Sequence, residues 1–421
     1  MKYTILGGGL AGLGFHLTEK NSEIYELSSK IGGHAKSSEF HGYFFDEGAH
    51  INHSKNSKWL DFINKKNINN RKSTVKNYLK NKLFGYPIQS NLGHLNKLDK
   101  VKYLNSFIKA QLNNTNKDPK NYKDWCYSSY GKELTEDYYN IFTEKYWRTP
   151  MDELSTDWLK GRLIKSDFED ILKGAFSIKS EDKSVFNYFK YPKNGGFQYF
   201  FDKAYDYSKI HLNHRATSLD LVSKEIIFNN NYTKNFSTII NSIPIPELIK
   251  ITKNLPNVIK QAADNLKYTS LIQLNVIIKR ESISISDLTW FYVYDEDMDI
   301  SRVSIIDNLT SNRNKDTIAF QVEIFRRCDE NFDINKIAEK GLIDLCRILK
   351  ISSNNIINHE VQFIKYAYVI SDNNRFDSVK LIEKFYESNN VYGIGLFGRW
   401  NYVWSDAAFL SGVEMAKKLE N

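Results

Sequence analysis

Cysteine is scarce in this chain. Cys126, Cys328 and Cys346 are the only three, and no two stand in a C-x-x-C. That excludes a disulfide framework and a thiolate zinc site, and it fits a reducing compartment. Long apolar runs are also missing: none approaches the roughly 20 residues that span a bilayer. No apolar leader precedes the first strand-like segment, which starts at residue 2. The expectation is a cytoplasmic protein with no integral membrane segment. Basic residues are not bunched. The 58 Lys and Arg outnumber 50 Asp and Glu for a net charge of +8 and are scattered, which argues against nucleic acid as a partner. A mild positive excess suits an anionic small substrate steered into a basic cleft, although most of the lysines read as solvated surface. Internal repeats are absent. His50 and His53 stand three apart, but no Cys or acid cluster completes a ligand set, so no metal is expected.

Aromatic residues are plentiful, at 14% with 26 tyrosines. They suit a cleft that grips a sugar or base by stacking and hydroxyl contacts, though core packing alone accounts for many of them. Glycine is concentrated where it informs most. Tyr3 to Leu6 read as a short buried strand, followed by Gly7, Gly9 and Gly12 in G-x-G-x-x-G register and an apolar helical stretch through Leu10, Leu13, Phe15 and Leu17. The three glycines serve a tight turn, close approach of backbone to a pyrophosphate, and packing of helix on strand. The helix amino end then offers free N–H groups and a positive dipole to phosphate. A second strand, Ile24-Tyr25-Glu26, ends in an acid placed to accept ribose hydroxyls, which argues against a 2′-phosphate. Gly32-Gly33 follows, where flavoproteins of the glutathione-reductase type bring a second bare backbone against a longer cofactor. That continuation selects FAD over NAD.

Organisation along the 421 residues supports an α/β fold: an FAD-binding Rossmann-like domain of the glutathione-reductase type, with a helical insertion and an antiparallel β-sheet domain. Residues 1 to about 70 read β-α-β followed by loop and helix. From Asn91 to about Lys173 the pattern is helical, and from Phe186 through Ile251 strands return, with Asn229-Asn230-Asn231 as a turn. Further strand-like runs are Leu271 to Ile278, Trp290 to Tyr294, Val303 to Ile306, Ile318 to Ile324 and Val361 to Tyr368. Ile334 to Leu349 and Asp406 to Leu419 read as helices. The expected division is 1–85, 181–265 and 371–421 for a discontinuous cofactor domain. The expected helical substrate insertion is 86–180 and the antiparallel substrate sheet 266–370.

A series of local segments, in order over nearly the whole length, resembles the UDP-galactopyranose mutase family of flavoenzymes. They are Gly48-Ala49-His50-Ile51-Asn52-His53-Ser54, Tyr86-Pro87-Ile88-Gln89-Ser90-Asn91, Phe142-Thr143-Glu144-Lys145-Tyr146-Trp147 and Trp158-Leu159-Lys160-Gly161-Arg162. Later come Tyr191-Pro192-Lys193-Asn194-Gly195-Gly196, Trp290-Phe291-Tyr292, Ser301-Arg302-Val303, Phe397-Gly398-Arg399-Trp400-Asn401-Tyr402 and Ser411-Gly412-Val413-Glu414. The resemblance implies a mutase that interconverts pyranose and furanose forms of a UDP-sugar through N5 of reduced FAD, with NAD(P)H or another donor as reductant. It implies a role in cell-surface polysaccharide biosynthesis, and an oligomer is possible. By the same resemblance the catalytic set is Arg162, Arg302, Arg399, Tyr368, Tyr402 and His50. The substrate contacts are Tyr86, Gln89, Trp147, Trp290, Tyr292 and His53, with Trp147 against uracil. The cofactor contacts are Gly7, Gly9, Gly12, Glu26, Gly32, Gly33, Gly48, Ala49, Gly398 and Asp406.

Arg162 is placed to hold the substrate diphosphate. Arg302, on a strand between apolar neighbours, is costly to bury without an anion, which reduced flavin would supply. Each has a packing alternative: a surface helix arginine for Arg162, a helix-core tryptophan for Trp147, and packed rings with satisfied hydroxyls for Tyr368 and Tyr402. The chain departs from the family in its substrate contacts. The second diphosphate arginine falls on Leu396, so Arg399 either reaches the same phosphate from a neighbouring position or the second clamp is absent. The family's Tyr-Pro pair stands as Tyr368-Val369. Two other readings stay open: an FAD-dependent oxidoreductase of the amine oxidase or protoporphyrinogen oxidase type, and a flavin-stabilised binding protein without turnover.

Overall fold

The computed structural model describes residues 2–112, 118–159, 162–163, 167–178, 187–202, 205–284, 287–310 and 313–420. Tyr3–Leu6 is buried at every residue because it lies in the middle of a five-stranded parallel sheet covered on both faces. From one edge the order is Val391–Gly393, Thr238–Asn241, Tyr3–Leu6, Ser22–Tyr25 and Ile210–His211, with every pairing parallel. The helix Leu10–Thr18 returns over this sheet and packs along the helix Ser405–Glu420.

A second, seven-stranded sheet runs Ile356–Val369, Tyr268–Lys279, Thr317–Arg327, Arg302–Ile305, Trp290–Val293, Val75–Leu79 and Lys82–Gly85. Only the Trp290–Val293 and Val75–Leu79 pair is parallel. Side chains alternate across a strand, and the two faces of this sheet differ. Ile272, Leu274, Val276 and Ile278 join Ile318, Phe320, Val322 and Ile324 against the helix Ile334–Leu349. Gln273, Asn275, Gln321 and Glu323 point the other way and are equally buried.

The helical layer contains Lys97–Leu112, Tyr122–Tyr130, a wide π-turn Thr135–Asn140 that leads into Ile141–Trp147, and Phe168–Ala175. Its core is largely tyrosine: Tyr103, Tyr122, Tyr130, Tyr138, Tyr139 and Tyr146 pack together and against Trp290, Tyr292 and Phe325 of the second sheet. Core packing therefore absorbs many of the tyrosines. Among the described residues no helix is long and apolar enough to cross a membrane.

Two stretches differ from the sequence expectation. Residues 37–85 hold a hairpin, Ser37–Phe40 with Tyr43–Asp46, and the strands Ile68–Lys72, Val75–Leu79 and Lys82–Gly85. The Asn- and Lys-bearing sequences of Ile68–Lys72 and Val75–Leu79 hide the period-two signal, and these two strands pair far along the chain, with Tyr188–Pro192 and Trp290–Val293. The strand run expected through Ile251 stops at Asn241, since Pro244 and Pro246 start the helix Ile245–Ile251. Phe186, where that run was expected to begin, lies outside the described residues, as do Lys160 and Gly161. Asn229 to Asn231 form a hairpin turn, with Asn231 at φ +61°.

Candidate functional site

A cavity of about 990 Å³ runs from the parallel sheet to the helical layer. Its first wall is the glycine turn. Gly7 adopts φ +97° and donates its N–H to the Tyr25 carbonyl at 2.9 Å. A Cβ at Gly12 would run into the Gly7 carbonyl oxygen, so Gly12 sets how closely the helix leaves the strand and does not itself line the cavity. Glu26 is buried and accepts the Gly8 N–H at 2.7 Å and the Ser28 N–H and hydroxyl at 2.8 and 2.7 Å. Gly32 (φ +119°) donates to the Gly8 carbonyl at 2.7 Å, and a Cβ on Gly33 would sit 3.0 Å from the Gly9 Cα. Two bare backbones thus meet along one wall, with Gly7, Gly9, Glu26, Gly32 and Gly33 all facing the cavity.

The middle of the cavity is held by side chains the sequence reading missed. Gly48 (φ +77°) donates its N–H to Gln273 Oε1 at 2.8 Å, and Ala49 donates to Glu323 Oε1 at 2.8 Å. Gln273 and Glu323 face each other across neighbouring strands. Glu323 also takes Arg302 in a two-pronged pair, Nε to Oε2 at 3.0 Å and Nη2 to Oε1 at 2.7 Å, with both residues buried. This corrects the expectation for Arg302, whose anionic partner is Glu323 from its own sheet. Burial alone would depress the guanidinium's pKa, but Glu323 holds it well above the usual arginine value. The available signal was a polar residue in the centre of an apolar strand, Leu271-Ile272-Gln273-Leu274 and Gln321-Val322-Glu323-Ile324. His50 contacts the Gly48 carbonyl through Nδ1 at 3.0 Å. His53 lies edge-on to Trp404 at 4.5 Å, and burial lowers its pKa. Asp406 accepts the Ser54 hydroxyl and the Ala407 N–H at the start of the Ser405–Glu420 helix.

The far end is aromatic. Tyr86 lies 5.5 Å from Tyr292, and Gln89 accepts the Tyr139 hydroxyl at 2.8 Å. Trp147 closes the helix Ile141–Trp147 and meets Trp158 at 4.9 Å, Tyr402 at 5.3 Å and Tyr368 at 5.8 Å. The Tyr368 hydroxyl bonds that of Tyr146 at 2.9 Å. Trp290 joins the wall from its strand. Arg162 lies within this group: Nη2 donates to the Tyr402 carbonyl at 2.7 Å, and Cζ stands 3.7 Å over the Tyr402 ring and 4.9 Å from that of Trp404. Burial pushes its pKa down, and among the described residues no carboxylate reaches it to form an ion pair.

The structure brings together Arg162, Arg302, Tyr368, Tyr402, His50 and the six expected substrate contacts along one cavity. It does not bring Arg399. That side chain is half exposed and pairs with Glu383 at 3.7 Å, outside the wall, while Leu396 lines it. The reason is local. Residues 395–398 form a helical turn, and a Cβ at Gly398 would strike the Asn241 carbonyl, so this loop packs on the parallel sheet and turns Arg399 outward. Gly398 is therefore a packing glycine and not a wall residue. Among the described residues no group of three or more His, Cys, Asp or Glu is placed to hold a metal.

A family model described as flavin containing amine oxidoreductase matches residues 16–305. The match begins beyond the glycine turn, which stands as a separate observation. The crystal structure of a reduced UDP-galactopyranose mutase superposes with a TM-score of 0.91 at 19% identity, covering 100% of this chain and 93% of that one. A proposed protoporphyrinogen oxidase from Exiguobacterium sp. 255-15 gives 0.77 at 12% identity, covering 100% and 98%. A CLA-producing fatty acid isomerase from P. acnes gives 0.65 at 11% identity, covering 99% and 98%. At these identities what is shared is the fold.

Proposed function

This chain belongs to the flavin containing amine oxidoreductase family, and we propose that it is an FAD-dependent mutase that interconverts the pyranose and furanose rings of a UDP-galactose-like nucleotide sugar. Support for the cofactor comes from the cradle, where Gly9 and Gly33 leave space that side chains would fill and Glu26 presents a buried carboxylate. Gly7, Gly9, Glu26, Gly32, Gly33, Gly48, Ala49 and Asp406 would hold FAD. When bound and reduced, it supplies a nucleophilic nitrogen for an anomeric carbon.

The observation that carries the reading is Arg162, a half-buried guanidinium with no carboxylate partner among the described residues, at the aromatic end of the cavity that begins in the glycine cradle. Such a group favours an anion, and a nucleoside diphosphate develops negative charge as it leaves a sugar. Arg162 would take that charge, with the Tyr368 and Tyr402 hydroxyls beside it. Trp147 and Tyr86 would stack on the base and sugar, and Gln89 would offer an amide to the base. Glu323 would act by position, fixing Arg302 and the Ala49 amide at once. The surrounding rings keep water from the reacting carbon.

The second reading, an oxidoreductase of the amine oxidase or protoporphyrinogen oxidase type, is favoured by one observation: the wall carries Leu396 where a second clamp arginine was expected. Incubation of dithionite-reduced protein with UDP-galactofuranose and other nucleotide sugars, followed by chromatography, separates the two. Ring isomers formed only under reducing conditions are expected. Substrate-dependent reduction of oxidised flavin would replace the mutase reading with the oxidoreductase, and neither outcome would leave a flavin-stabilised binding protein.

A further inference from the structure

We propose that Arg148 and Glu330 form a latch that sets the angle of Trp147 in the nucleotide pocket, so that a pair lying outside the cavity tunes its affinity for the base. The inference rests on the nucleotide-sugar reading given above. Trp147 is the last residue of the helix Ile141–Trp147, and Arg148 turns the chain there with φ +52° and ψ +32°. A side chain in this left-handed region crowds the following carbonyl, and helices commonly place glycine at this point. Here the position is taken by an arginine with a partner. Its Nε donates to Glu330 Oε1 and its Nη2 to Glu330 Oε2, both at 2.9 Å. Two parallel bonds fix the plane of a guanidinium as a single bond does not. Glu330 is itself held by the turn after the strand Thr317–Arg327. Its carboxylate accepts the Arg327 N–H at 3.0 Å, and its own N–H donates to the Arg327 carbonyl at 3.0 Å.

The helix is anchored from its carboxyl end. Its amino end grows out of the wide π-turn Thr135–Asn140, a rare geometry that interrupts the regular ladder of helical bonds. Three ties then fasten its last turn to the second sheet. The buried Lys145 ammonium donates to the Asp295 carbonyl at 2.5 Å and to the Ile300 carbonyl at 3.3 Å. The Ser301 hydroxyl donates to the Lys145 carbonyl at 3.0 Å. Arg148 adds the tie nearest Trp147. The strands joined in this way also carry Trp290, Tyr292, Arg302 and Phe325 into the cavity wall. Arg148 and Glu330 do not line that wall. Breaking their bond therefore removes no contact to substrate or flavin, and its effect on binding has to pass through Trp147.

Titration of the flavin-loaded protein with UDP, and separately with inorganic pyrophosphate, tests this, since only UDP carries a base. Arg148→Gly removes the tie and relieves the left-handed residue, so circular dichroism and flavin content should be unchanged. Its dissociation constant for UDP should rise about fivefold to tenfold, the size of one aromatic stacking contribution, while that for pyrophosphate stays the same. Glu330→Gln, whose amide oxygen can still accept the Arg327 N–H, should give the same pattern more weakly. The double variant should be no worse than Arg148→Gly alone. Equal UDP binding by Arg148→Gly and the unaltered chain would overturn the proposal, and so would an equal loss for UDP and pyrophosphate. An unaltered chain that binds no UDP would overturn the nucleotide reading and the proposal together.

Discussion

Arg162 keeps its charge among Tyr402, Trp404 and one backbone carbonyl, and the desolvation it suffers there is recovered only when an anion arrives. Arg162→Ala should therefore weaken UDP binding by about 2 kcal/mol or more, read as a titration by flavin absorbance and tryptophan fluorescence, with flavin content unchanged. Loss of flavin instead would place the residue in the cofactor site. Arg399→Ala should alter UDP affinity by less than about 0.5 kcal/mol, since its partner is Glu383 on the surface. Arg302 behaves differently because its charge is already matched. Glu323→Leu strands a buried guanidinium and leaves the Ala49 amide unbonded, at a cost of about 3 kcal/mol or more in unfolding free energy. Adding Arg302→Met should restore part of that loss, so denaturation of the double variant should show clear non-additivity.

Whole elements were legible wherever hydrophobic period and glycine chemistry agreed. The first strand, its glycine turn, the helix Ile334–Leu349 and the long strands of the second sheet all follow from apolar runs bounded by turns. Ile68–Lys72 was not legible, because a strand that reads Ile-Asn-Asn-Arg-Lys is stabilised by its distant partner Tyr188–Pro192 and not by its own pattern. At the site, resemblance located Arg162 and Trp147. It did not locate Gln273 or Glu323, since an isolated polar residue in an apolar strand does not declare what it will face. Arg399 was misplaced because its direction depends on how the 395–398 turn seats on the sheet. Gly12→Ala tests the element that was clearest: the added methyl meets backbone, not a mobile side chain. The variant should lose flavin and several degrees of melting temperature together.

The cavity takes its walls from nearly the full length of the chain, from Leu6 to Ala408, so its integrity and that of the fold are coupled. Burial lowers the pKa of His16, His53, His94 and His211. The unfolded chain binds protons on these rings near pH 6.5, while the folded one does so only at lower pH. Their contribution is therefore present above pH 6.5 and lost as the pH falls below it. Urea midpoints should drop between pH 7.5 and 5.5, and an unchanged midpoint would show that the rings charge freely in the fold. Glu247, held at about 2 mainly by Lys365 and Tyr366 against the opposing effect of burial, adds its own loss only in stronger acid.

In the parallel sheet, Tyr3–Leu6 lies between Ser22–Tyr25 and Thr238–Asn241, and Val391–Gly393 closes the edge beyond. A ribosome thus releases the glycine turn hundreds of residues before Thr238–Asn241 and Val391–Gly393, the strands that complete the sheet on its other side. Prosthetic-group loading must be a late, post-synthetic event, and truncated nascent chains should emerge colourless.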